Sequence, residues 1–85
     1  MMTKETIRDL IAAALDCTEI DVRGDDGAHF EATIVAPAFE GKSRVARHQL
    51  VYGALGDHMR EAIHALSFKT LTPQERAAAG GRSLG

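Results

Sequence analysis

At 85 residues the chain has enough material for one thin hydrophobic core, which excludes an active-site cavity enclosed between domains. Its 45% hydrophobic and 26% charged residues describe a folded globular protein rather than a disordered one, and a net charge of -2 argues against an extensive surface for nucleic-acid phosphates. The single cysteine, Cys17, excludes an intramolecular disulfide and any thiolate-rich metal site built by this chain alone.

No apolar run approaches the roughly 18 residues of a membrane span. Residues 1–15 carry Lys4, Glu5, Arg8 and Asp9 among their apolar positions, which a signal-peptide core would not. No membrane association is expected, and the expected location is cytoplasmic.

Taken in chain order, Thr3 followed by Ile7, Leu10, Ile11, Ala14 and Leu15 predicts an amphipathic helix capped by the threonine. EIDVRG then alternates Ile20 and Val22 against charged residues, and Gly24 with Asp25-Asp26-Gly27 supplies turn chemistry. HFEATIVAP sets Phe30, Ala32 and Ile34 on one face of a second strand, completing a hairpin that Pro37 ends. After the loop AFEGK, Ser43 is placed to cap a helix over 44–61, with Val45, His48, Val51, Tyr52, Leu55 and Met59 on one stripe and Leu50 opposite, exposed. Gly53 and Gly56 weaken that helix, and close backbone approach is their expected compensation.

IHALSFKT alternates Leu66 and Phe68 against Ser67 and Lys69 as a third strand, and Thr72-Pro73 with Gln74 and Glu75 starts a short last helix. The strand–helix–strand crossover makes the second and third strands parallel. The reading is an α+β domain over residues 1–79, of order αββαβα, with helices on one face of a three-stranded mixed sheet, and a flexible tail over 80–85.

HExxH, CxxC, P-loop, GxGxxG and GxSxG patterns are all absent, so nothing in the sequence spells an enzyme. The candidates for chemistry are four histidines, His29, His48, His58 and His64, with Asp25, Asp26 and Cys17. His48, inside the apolar stripe, reads as a packed structural residue, and His58, off it, as a surface residue near a helix end. His64, at the head of the third strand, is open to three roles: core residue, base, or ligand of a site completed elsewhere. Parallel strands put the starts of strands two and three at one end of the sheet, so His29 and His64 can flank one surface. Two imidazoles are too few for a closed tetrahedral site. They make sense as a half-site, and imidazole does replace thiolate on one iron of some 2Fe-2S centres.

The segments GDDGAHFEATIVAPAFEGKSRVARHQLVYGAL and IHALSFKTLTP resemble the BolA family, in its short bacterial, BolA2-like branch, over Ile20 to Glu75. FEGKSRVARHQLVY is the most specific part. The resemblance implies a fold similar to the class II KH domain and a heterodimer with a monothiol, CGFS-type glutaredoxin, the two proteins sharing a glutathione-ligated 2Fe-2S cluster. It implies His64 as the ligand from this chain, with a second ligand from the loop between the first two strands. That loop, RGDDGAH, has no cysteine; Asp26 falls where some relatives place one, and His29 is the nearest candidate. The chain also has Arg76 where relatives often have Trp.

The expected function is therefore a non-enzymatic adaptor in iron-sulfur trafficking or iron sensing, with no cofactor of its own when isolated and an apo form that is a monomer or weak homodimer. The alternative is a nucleic-acid-binding transcriptional regulator, linked to stress response, using Lys42, Arg44, Arg47 and His48 at the start of the second helix. Against it, FEGK has one glycine and a glutamate where a KH domain clamps its ligand with GxxG.

Overall fold

The computed structural model describes residues 2–24, 26 and 28–79. The tail read as flexible, along with Asp25 and Gly27 of the hairpin turn, lies outside the described residues. Helix α1 spans Lys4–Leu15, and the Thr3 hydroxyl accepts the Thr6 N–H at 3.1 Å, as the capping pattern predicts. Met2 and Ile7 flank that cap at the spacing of a hydrophobic staple, and both are fully buried.

Strands β1 (Glu19–Arg23), β2 (Phe30–Val35) and β3 (Leu66–Leu71) form one sheet in the order β1-β2-β3. β1 runs antiparallel to β2, with Ile20 opposite Ile34 and Arg23 opposite Glu31. β3 runs parallel to β2, with Phe30 opposite Leu66 and Val35 opposite Leu71. Phe30, Ala32 and Ile34 enter a single core with Ile7 and Ile11 of α1 and with Val51 and Leu55 of helix α2 (Arg44–Leu55). Between β2 and α2 a 3-10 turn, Pro37–Phe39, drives Phe39 into this core, and Gly41 adopts φ 73° before Ser43 caps α2 by accepting from the Ala46 N–H.

The predicted helix over 44–61 is broken. α2 ends at Gly56, whose φ of 54° and ψ of -121° no helix accommodates; a 3-10 turn, Gly56–His58, follows, and a separate helix, α3, runs Met59–Ala65 into β3. The glycines are not there for close approach: a Cβ at Gly53 or Gly56 would meet nothing within 4 Å. Gly56 serves the turn instead, because positive φ is strained for any residue with a Cβ. The break resets the helical phase, so Met59, placed on the buried stripe by the continuous pattern, is exposed, while Ala62 is buried. Val45 is exposed too, one residue into α2, and Leu50 is half-buried against the core rather than exposed.

Helix α4 (Pro73–Ala78) begins with a capping box: Glu75 N–H donates to the Thr72 hydroxyl at 3.0 Å and Thr72 N–H to Glu75 Oε1 at 2.8 Å. Arg47 of α2 reaches across to the same glutamate, and Arg76 of α4 donates to Glu19 of β1 at 3.1 Å.

Candidate functional site

His64 occupies the last turn of α3, not the head of the strand, and its side chain is exposed. α3 buries Ala62 and turns Met59, Arg60, Ile63 and His64 to solvent. No loop separates this helix from the sheet: the Leu66 N–H donates to the Ala62 carbonyl while Leu66 pairs with Phe30. The imidazole is therefore carried on a short element anchored at its C-terminal end, and the same helix exposes two large apolar side chains, Ile63 at 55% and Met59 at 43%.

The parallel register sets the residues preceding β2 and β3 at the same end of the sheet, so His29 and His64 share that end. His29 is exposed and is held by a compact turn. Asp26 Oδ1 accepts the backbone N–H groups of Ala28 and His29, both at 2.8 Å, and Asp26 Oδ2 meets His29 Nδ1 at 3.0 Å. These contacts, the His29 ring first and the two backbone donors after it, hold the Asp26 carboxyl well below the usual carboxylate range. Gly24 admits the close packing of this turn, since a Cβ there would collide with the Phe30 ring. Arg23, Gly24, Asp26, His29 and Glu31 line an open depression of about 420 Å³. His64 is not part of that lining.

Cys17 is at the other end. Thr18 N–H donates to the Val35 carbonyl at 2.9 Å, so the cysteine lies beyond the far end of β2, roughly 20 Å of strand away from His29. Burial, and then Asp16, push its thiol pKa up, and the thiol points back at the Ile11 carbonyl. Among the described residues no group of three or more His, Cys, Asp or Glu side chains is placed to hold a metal ion. The two exposed imidazoles are thus donors without a third protein ligand beside them. Each is an exposed imidazole able to act as a ligand.

The residues expected for nucleic acid divide into two pairs. Arg47 is committed within the fold: its guanidinium donates to both Glu75 carboxylate oxygens, at 2.7 and 3.2 Å, and to the carbonyls of Thr70 and Lys42. Its side chain is only 14% exposed, so it is not offered to a phosphate backbone. His48 is half-buried with its ring against Phe68, centroids 4.5 Å apart, which is the structural role read for it from the apolar stripe. Lys42 and Arg44 remain exposed at the start of α2.

The profile of the family described as BolA-like protein matches residues 11–75. The chain belongs to the BolA-like family. It is 40% identical over 77 residues to the acid stress protein IbaG of Escherichia coli K12, covering 89% of this chain and 90% of that protein. It is 51% identical over 53 residues to SufE-like protein 1, chloroplastic/mitochondrial, of Arabidopsis thaliana; that match covers 61% of this chain and 14% of the much longer relative. Its structure is similar to the crystal structure of a Bol-like protein from Babesia bovis, with a TM-score of 0.80 and 36% identity over 92% of this chain and 93% of that one. The α+β order and the mixed sheet read from the sequence are those of BolA-like structures.

Within this BolA-like frame the sequence reading missed two features of the site. The exposure of Met59 is hidden by a helix continuous through Gly56, and that of Ile63 by the reading of IHALSFKT as strand, whereas both lie on α3. Asp26, which the sequence places in the turn and offers as a possible ligand, has both oxygens engaged within that turn, one of them by the His29 ring. The Asp-x-x-His spacing was the available signal for that contact. Among the described residues no helix is long and apolar enough to cross a membrane.

Proposed function

We propose that this BolA-like protein is a non-enzymatic adaptor that pairs with a monothiol glutaredoxin and shares a glutathione-ligated 2Fe-2S cluster with it, in iron-sulfur trafficking or iron sensing. The observation that carries the reading is the placement of His64: an exposed imidazole on the last turn of α3, a helix that also exposes Met59 and Ile63, at the sheet end that also holds His29. A helix that exposes large apolar side chains as well as an imidazole suits a partner that covers the first and brings the remaining ligands to the second. The partner class and the cluster come from the family resemblance.

In this role His64, as neutral imidazole, donates one ring nitrogen to an iron while the glutaredoxin thiolate and glutathione supply the other ligands. Replacing a thiolate by an imidazole removes negative charge from the cluster, which raises its potential. A protein-borne cluster of that kind suits transfer or sensing. Met59 and Ile63, four residues apart on one face of α3, give the partner an apolar contact on the helix that carries the histidine.

The test is to mix the apo-protein anaerobically with a cluster-loaded monothiol glutaredoxin and glutathione and to follow visible absorption and circular dichroism. A heterocomplex with a spectrum distinct from the glutaredoxin homodimer is expected, and His64→Ala is expected to abolish that difference. No heterocomplex, or the same spectrum with His64→Ala, sinks the proposal.

A further inference from the structure

We propose that Asp26 is a positioning residue that fixes which nitrogen of His29 is presented to the shared site; this rests on the adaptor reading above. The geometry separates the two carboxylate oxygens by task. Oδ1 is taken by the backbone N–H groups of Ala28 and His29, which pins the turn, and Oδ2 lies 3.0 Å from His29 Nδ1, which fixes the ring. A carboxylate only accepts, so in the neutral imidazole the proton sits on Nδ1 and the lone pair on Nε2. Nε2 then faces outward on a side chain that is 78% exposed. Carboxylate, imidazole and an open lone pair in line form the arrangement by which an outer carboxylate orients a metal-ligating histidine and raises its basicity.

This assignment changes the part the loop plays. Asp26, which the resemblance puts about where some relatives place a cysteine, does not ligate; it makes His29 able to do so. The substitution that isolates the effect is Asp26→Asn. Its side-chain oxygen still accepts the two backbone N–H groups, but the amide nitrogen replacing Oδ2 donates to Nδ1 and forces the ring proton to Nε2. The turn is kept and the ligating nitrogen is blocked.

The first measurement is a two-bond proton–nitrogen correlation spectrum of the labelled apo-protein at about pH 8, where an ordinary imidazole is neutral. His29 is expected as the Nδ1–H tautomer in the parent and as Nε2–H in Asp26→Asn. The second is the lifetime of the cluster-bridged complex with monothiol glutaredoxin and glutathione, followed by circular dichroism. Both His29→Ala and Asp26→Asn are expected to shorten it about 10- to 100-fold. An Nε2–H tautomer in the parent, or no tautomer change in the variant, overturns the assignment. So does a parent-like lifetime with either variant, and the adaptor reading through His64 then survives alone. If the parent forms no bridged complex, the adaptor reading fails and the ligand role of His29 falls with it.

Discussion

Arg47 and Glu75, 28 residues apart, are joined by a two-point ion pair, with Nη1 to Oε1 at 2.7 Å and Nη2 to Oε2 at 3.2 Å. Glu75 Oε1 also accepts the Thr72 N–H, so one carboxylate caps α4 and ties it to α2. The Arg47 guanidinium, followed by the Thr72 N–H, lowers the Glu75 pKa from its ordinary value near 4.5 to about 2. A depressed carboxylate pKa means that protons bind the unfolded chain more tightly. The contribution is present above about pH 4.5 and lost as the pH falls toward 2. Chemical denaturation at a series of pH values is expected to show stability falling across that window, with a shallower fall in Arg47→Ala. An identical slope in the variant would assign the acid sensitivity to other groups.

Two glycines three residues apart in the sequence, Gly53 and Gly56, are expected to respond with opposite signs. Gly53 lies inside α2 with open space where a Cβ would go, so Gly53→Ala should stabilise by about 0.5–1 kcal/mol. Gly56 has equal space but a φ of 54°, so Gly56→Ala should destabilise by about 1–3 kcal/mol. Urea midpoints of the two variants against the parent check both signs. A stabilising Gly56→Ala would mean that the turn between α2 and α3 is not built as described.

His64 is exposed and caps no helix, so His64→Ala should leave the urea midpoint within about 0.5 kcal/mol of the parent. Its cluster-dependent spectrum should nevertheless be lost. A large loss of stability on substitution would mark the residue as structural.

Met59 and Ile63 are expected to carry affinity rather than stability. Ile63→Asp places a charge on a surface residue already 55% exposed, which costs the fold little. The same charge in a covered apolar contact is expected to weaken binding to the glutaredoxin about tenfold or more, equivalent to at least 1.4 kcal/mol. Titration by isothermal calorimetry against the loaded glutaredoxin measures it, and unchanged affinity would move the contact surface off α3.

Much of this architecture was legible from local rules. Thr3, Ser43 and the Thr72–Glu75 box each cap a helix as their side-chain chemistry requires, and the alternation in FEATIV defines a strand with Phe30, Ala32 and Ile34 inward. The length of the crossover made β2 and β3 parallel, which in turn placed His29 and His64 at one end of the sheet. The family was legible too, in FEGKSRVARHQLVY. What misled the reading was Gly56. A residue that is tolerated in a helix and favoured at positive φ leaves the choice to the surrounding packing, and the periodicity on either side happened to agree with a continuous helix.

The sequence by itself thus determined the strands, the helix starts at their caps and the shortage of cysteine ligands, because caps, periodicity and composition act over a few residues. Tertiary structure alone decided which side chains are available. It folded Arg47 back onto Glu75, set His48 against Phe68, turned Met59 and Ile63 outward beside His64, and closed Asp26 onto the His29 ring. Each of these depends on the direction of a side chain relative to a neighbouring element, and that direction follows from how the core closes rather than from the residues on either side.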